Sequence, residues 1–163
     1  MACGSGSCGS GGCGSGGDAP PRILTALVIA EERDARPVAE EPAPVARWPG
    51  LDAQGLDQVK LALLWALVSG EPFRDGLVLE FAPLEELSAD GPWVFRVPPA
   101  LVAALAQVEG ARAAEVAAGW AACQELELDG WEPAAVVAML DQLRGLARGA
   151  RAAGKPLLMW VSL

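Results

Sequence analysis

The chain has 163 residues, with 12 Lys plus Arg against 21 Asp plus Glu, no His, and a formal net charge of −9. That length fits one domain with tails, and 52% hydrophobic residues are too many for a wholly disordered chain. The lack of His removes Ser-His-Asp and Cys-His catalysis, His-ligated zinc and the usual near-neutral proton shuttle, and the acidic balance argues against nucleic acid, whose phosphates call for Lys and Arg.

Residues 1–17 read as a five-residue repeat: Cys3-Gly-Ser-Gly-Ser, Cys8-Gly-Ser-Gly-Gly, Cys13-Gly-Ser-Gly-Gly. Its only side chains able to build anything are three thiols, which predicts a flexible arm. Soft thiolates are ligands for copper(I), zinc and iron–sulfur clusters. Spacers of four residues let the chain loop between Cys3, Cys8 and Cys13, which are therefore the candidate metal ligands. Zinc and most clusters take four ligands, so the arm by itself is one short. A thiol on a Gly-rich strand can also swing into a partner's active site. The glycine-flanked cysteine arms of sulfur-carrier proteins do this, and the repeats resemble them in chemistry. An inert Gly/Ser tail or tag is the plain alternative. Gly4-Ser-Gly6-Ser-Cys8-Gly9 matches the dinucleotide-binding glycine pattern in letters only, with no strand before it and no helix after it.

Residues 18–47 form a second segment. Asp18 with Pro20 and Pro21 is a helix start, and Ile23, Leu24, Leu27 and Val28 then share one face. Helix is favoured slightly over a strand from Arg22 to Ala30. Pro37, Pro42, Pro44 and Pro49 mark a Pro-rich linker or strap.

The main domain is expected over residues 48–163. Helix is expected over Asp52–Val68, stopping at Gly70, with Leu56, Val59, Leu63, Ala66 and Leu67 as its apolar face. Leu77–Phe81 and Trp93–Val97 are short strand candidates around the Asp90-Gly91-Pro92 turn. Pro98 and Pro99 open a helix to Val108, and a third helix runs from Gly110 to Leu126. Pro133 opens a fourth that ends near Gly154. Leu157–Val161 is a third strand candidate, apolar on both faces and so expected to be buried on both sides. The expected fold class is α+β, predominantly helical, with about four helices and a few short strands, preceded by the arm and the Pro-rich linker.

Within that domain Cys123 falls on the apolar stripe of the third helix, where a free Cys is a small hydrophobe. Glu125, Glu127, Asp129 and Gly130 echo the first half of a calcium loop. Position twelve is Val136 rather than the required Glu, so a solvated helix end is the expectation. Arg144, Arg148, Arg151 and Lys155 make one basic stripe, suited to the negative end of the helix dipole or to an acidic partner. Residues 133–163 carry a net +3 where residues 1–132 carry −12. Gly145 and Gly149, four apart, suggest a close approach to a neighbouring segment. Among six Trp, Trp65, Trp120 and Trp160 lie in apolar patterns and read as core. Trp48, Trp93 and Trp131 sit beside turns, as loop staples or a binding surface.

Acid pairs such as Glu31/Glu32, Glu40/Glu41 and Glu85/Glu86 are adjacent in sequence and do not converge on one point, which points away from an enzyme. The longest unbroken apolar run is Leu61–Val68, far short of the ~20 residues of a membrane span. No secretory signal pattern opens the chain, and ten Arg to two Lys suggest a GC-rich, bacterial coding sequence, so a cytoplasmic protein is expected. The functional expectation is a non-catalytic accessory protein. Its domain would bind a protein partner while its arm contacts a thiophilic metal (Fe–S, copper or zinc), with oligomeric state open. A small acidic immunity-type or regulatory interaction protein without metal is the alternative, and a sulfur or redox carrier is the third.

Overall fold

The computed structural model describes residues 23–163. In it Leu24–Ile29 is a strand, β1, not the favoured helix. The cause is tertiary. β1 pairs antiparallel along its whole length with the C-terminal strand β5 (Leu157–Ser162), Leu24 opposite Ser162 and Ile29 opposite Leu157. Its other edge pairs with β2 (Gly50–Asp52). Thr25, Val28 and Ile29 are β-branched and suit this doubly paired position. After β1 the chain makes a 3-10 turn over Glu32–Asp34 and a short helix, α1 (Ala35–Glu40).

β2 leads through a turn into α2 (Gln58–Ser69). The helix starts six residues later than Asp52 because Asp57 is the N-cap: its carboxylate accepts from Lys60 N at 2.8 Å. Leu61, Ala62, Leu64 and Ala66 are buried, whereas Val59 of the expected face is exposed. Gly70 ends α2 in the left-handed conformation, as the sequence signals. Leu77–Phe81 is not a strand. Gly76–Leu79 forms a single helical turn, α3, which buries Leu77 and leaves Leu79 exposed. The strand begins one turn later as β3 (Ala82–Glu86), which hairpins onto β4 (Trp93–Arg96).

α4 (Pro99–Gln107) follows. The expected third helix is two, α5 (Gly110–Ala121) and α6 (Gln124–Leu128), broken at Cys123, whose backbone is extended. α7 (Pro133–Ala153) runs from its first-turn Pro to Gly154, which again takes the left-handed cap. Seven α-helices among the described residues, rather than about four, accompany one five-stranded antiparallel sheet of order β2-β1-β5-β4-β3. The fold is α+β.

β5 is the central strand, as its two apolar faces require. Alternate residues serve opposite layers. Leu27, Ile29, Val97, Leu157 and Met159 join the larger core built with α2 and α4–α7. Ala26, Val28, Val94, Leu158 and Trp160 join a smaller core beneath Ala35, Val38 and Ala39 of α1. Trp48 packs against this second core, so the Pro-rich stretch lies across the far face of the sheet. Trp120 and Trp160 are buried as expected, while Trp65 is only half-buried.

The two helix-interior glycines of α7 differ. A Cβ on Gly149 would meet Ile29 Cδ1 at 3.3 Å, a close approach of α7 to β1, whereas one on Gly145 would meet nothing within 4 Å. Gly145→Ala is therefore expected to stabilise the protein by about 0.5–1 kcal/mol through helix propensity and reduced unfolded-state freedom. Gly149→Ala should gain less, because Ile29 must shift. Paired urea-unfolding curves check both, and equal gains would contradict the packing.

Candidate functional site

Cys3, Cys8 and Cys13 lie outside the described residues. Cys123 is within them, and it is not stripe-buried in a helix but half-buried at the N-cap position of α6. Its Sγ–H lies 3.5 Å from the Gly119 carbonyl. Burial pushes this thiol above its ordinary range, and the Glu125 and Glu127 carboxylates push it further. A thiol that is harder to ionise is a poorer soft ligand, because the thiolate is the form that binds metal. Among the described residues no group of three or more His, Cys, Asp or Glu gathers to hold an ion. The calcium-loop echo resolves accordingly. Glu125 and Glu127 ride on α6, and Asp129 is taken by an ion pair to Lys60 at 2.7 Å.

That ion pair belongs to a feature not singled out in the sequence. Lys60 is the one buried charged side chain among the described residues. Its ammonium sits between Asp57 Oδ2 at 2.6 Å and Asp129 Oδ2 at 2.7 Å. Trp120 Nε1 donates to the Lys60 carbonyl at 3.0 Å, and Thr25 Oγ1, the other buried polar side chain, donates to the Leu56 carbonyl at 2.6 Å. Burial works to lower the Lys60 pKa, but hydrogen bonds and charge attraction from Asp129 and Asp57 outweigh it, so the net shift is upward. A lysine kept charged in this way is not a nucleophile. The cluster ties the start of α2 to the end of α6 and is structural. Its only advance signal is a lone Lys at the head of the apolar run Leu61–Val68.

The basic stripe divides into two pairs. Arg144 Nε donates to the Val108 carbonyl at 2.7 Å, and Arg148 Nε donates to the Ala106 carbonyl at 3.2 Å. These two arginines satisfy the carbonyl end of α4 and are spoken for. Arg151 and Lys155, one turn further, take part in none of the ion pairs among the described residues. They stand exposed at the rim of a cleft of about 350 Å³ floored by Val97, Val102, Ala103 and Leu157. Pro99 and Pro156 form a ridge between this cleft and a second one that holds Glu31, Glu32, Arg33 and Arg96. There Arg96 Nη1 pairs with Glu32 at 2.7 Å, while its Nε is buried without a hydrogen-bond partner.

Trp48, Trp93 and Trp131 are half-buried, and Arg47 lies 4.8 Å over the Trp48 ring. Among the described residues no helix is long and apolar enough to cross a membrane. No protein-family model matches the chain, and the comparisons with curated proteins and with solved structures found no match. The class defined here is an α+β domain with a cationic apolar cleft at one end of its sheet.

Proposed function

We propose that the protein is a non-catalytic accessory protein whose domain docks on a protein partner. Cys3, Cys8 and Cys13 contact a thiophilic metal or iron–sulfur centre, on a partner metalloenzyme. The observation that carries this reading is the threefold repeat, which places a thiol every five residues in a tract otherwise built of Gly and Ser. Chain chemistry favours an incomplete site. Three thiolates fall one short of the four ligands that zinc and most clusters take. Cys123 is a poor fourth, because it is half-buried at the N-cap of α6 with its Sγ 3.5 Å from the Gly119 carbonyl, and burial and two neighbouring carboxylates make its thiol harder to ionise. The missing ligand is then supplied from outside the chain, which suits an arm that reaches a centre held elsewhere.

The test is anaerobic metal analysis of the full chain after incubation with zinc(II), with copper(I), or with iron and sulfide, each with a small exogenous thiol that stands in for the ligand from outside the chain. One of these is expected to be retained through gel filtration at a fixed stoichiometry and lost in the Cys3/Cys8/Cys13→Ser triple variant. Equal retention by the variant, or none by the parent, overturns the reading. The chain's net charge of −9 favours one other reading, an acidic interaction protein acting against a basic target without metal. In that case salt-sensitive binding to a basic partner survives the triple substitution.

A further inference from the structure

We infer that the cleft between the start of α4 and the end of α7 is a docking surface for a short segment of a protein partner. In that segment one or two aliphatic side chains stand beside carboxylates. The inference rests on the reading that the domain docks on a protein, and it supplies the place and the chemistry. Charge complementarity carries it. In a chain of net charge −9, Arg151 and Lys155 are two exposed cations without an ion pair among the described residues. They flank a floor of Val97, Val102 and Leu157, all buried by their neighbours yet lining the opening. The first turn of α4 opens on the same cleft without an acidic residue or a side-chain cap, and adds to the positive field.

The floor selects an apolar side chain and the rim selects a carboxylate next to it. The rim cations stand in water, where each ion pair is worth only about 0–1 kcal/mol, so a small free acid would gain little from them. A volume of about 350 Å³ sits at the low end of the ~300–1,000 Å³ of small-molecule sites. It suits one or two side chains of a longer segment that makes further contacts outside the cleft. Beyond the Pro99–Pro156 ridge the second cleft balances Glu31 and Glu32 with Arg33 and Arg96, and Glu32 pairs with Arg96 at 2.7 Å, so it adds no attraction for a continuing acidic run. A larger groove of about 460 Å³ between α5 and α7 lacks this selectivity, because its Asp141 and Arg144 neutralise each other at 2.8 Å. The cleft lies beside Leu157, while the chain enters the sheet at Leu24 opposite Ser162. The first strand residue, Leu24, is therefore at the other end of β5 from the cleft, about 17 Å away at ~3.4 Å per residue.

The experiment is selection of a displayed library of random short peptides against the full chain, followed by titration of the enriched peptides made synthetically. Enriched sequences are expected to place Asp or Glu beside Leu, Ile, Val or Phe. Their affinity should fall at least about tenfold, ~1.4 kcal/mol, in the Arg151→Glu/Lys155→Glu variant. These two positions are exposed, so the fold should tolerate the change, and circular dichroism confirms it. Ala103→Glu, which adds an acid to the floor, should weaken binding similarly. The Cys3/Cys8/Cys13→Ser variant should bind the peptides unchanged, so loss of the metal role and loss of this surface read out separately. Absence of enrichment, enrichment without acids, or indifference to the charge reversal overturns the proposal. So does saturable binding of octanoate where no peptide binds. Self-association of the full chain that the reversal abolishes would also overturn it, by making a second copy the occupant.

Discussion

Trp120→Ala is expected to lower stability by about 3–5 kcal/mol, the cost of emptying a large aromatic site in a close-packed core. Trp120 is completely buried among residues of the larger core. It also holds α5 to α2, since its Nε1–H donates to the Lys60 carbonyl at 3.0 Å. The substitution therefore removes packing volume and a buried donor together. Typical domains have only about 5–15 kcal/mol in total, so a large part of the variant population should be unfolded at moderate urea. Trp120→Phe keeps most of the volume, loses the hydrogen bond and should cost about 1–2 kcal/mol. Urea titrations followed by far-UV circular dichroism avoid the interference of the other tryptophans. A loss below about 1 kcal/mol for Trp120→Ala would contradict its place at the centre of the helical layer.

The second large effect is at Lys60. Removing both acids with Asp57→Ala/Asp129→Ala strands a buried ammonium, and breaking a buried pair from one side costs about 3–5 kcal/mol. The loss should fall toward the lower end, because Asp129 is 51% exposed and water screens it. Asp57→Ala alone should cost about 2 kcal/mol, since it deletes the α2 N-cap as well as one ion pair. Adding Lys60→Met to the double variant should restore much of the loss, because an apolar side chain of similar length fills the same space without an unpaired charge. Failure of that rescue would mean that the acids matter for capping and not for the ammonium.

The direction of the pH dependence follows from the upward shift of Lys60 from its ordinary 10.5. A base whose folded pKa is raised gives its full contribution below the unfolded value, and loses it as pH climbs through the folded one. The stability difference between the parent and Lys60→Met should stay flat from about pH 6 to pH 9 and change only above about pH 10.5. A change near neutrality would show that another group carries the effect.

Where chemistry is local, the sequence read true. Pro133 supplies a first-turn residue that needs no N–H, and Gly154 supplies the left-handed cap, so both ends of α7 were legible. Leu157–Val161, apolar on both faces, announced a strand buried on both sides, and the threefold thiol repeat is wholly a property of the sequence. Where the deciding contact is distant, it did not. Leu24–Ile29 has no alternation to distinguish strand from helix, because both its faces are buried. It is a strand only because β5, more than a hundred residues later, pairs with it. Leu77–Phe81 has strand-like composition, but the burial of Leu77 favours a helical turn before β3 begins. Lys60 looks like a lone solvated charge until α6 brings Asp129 across to it. The basic stripe of α7 looks uniform until α4 docks, fills Arg144 and Arg148 with its terminal carbonyls, and leaves Arg151 and Lys155 beside an apolar cleft. Caps and breakers act within one helical turn and so are written in neighbouring residues. Strand pairing, buried ion pairs and clefts join residues far apart in the chain, and packing the helices on the sheet is what decided them.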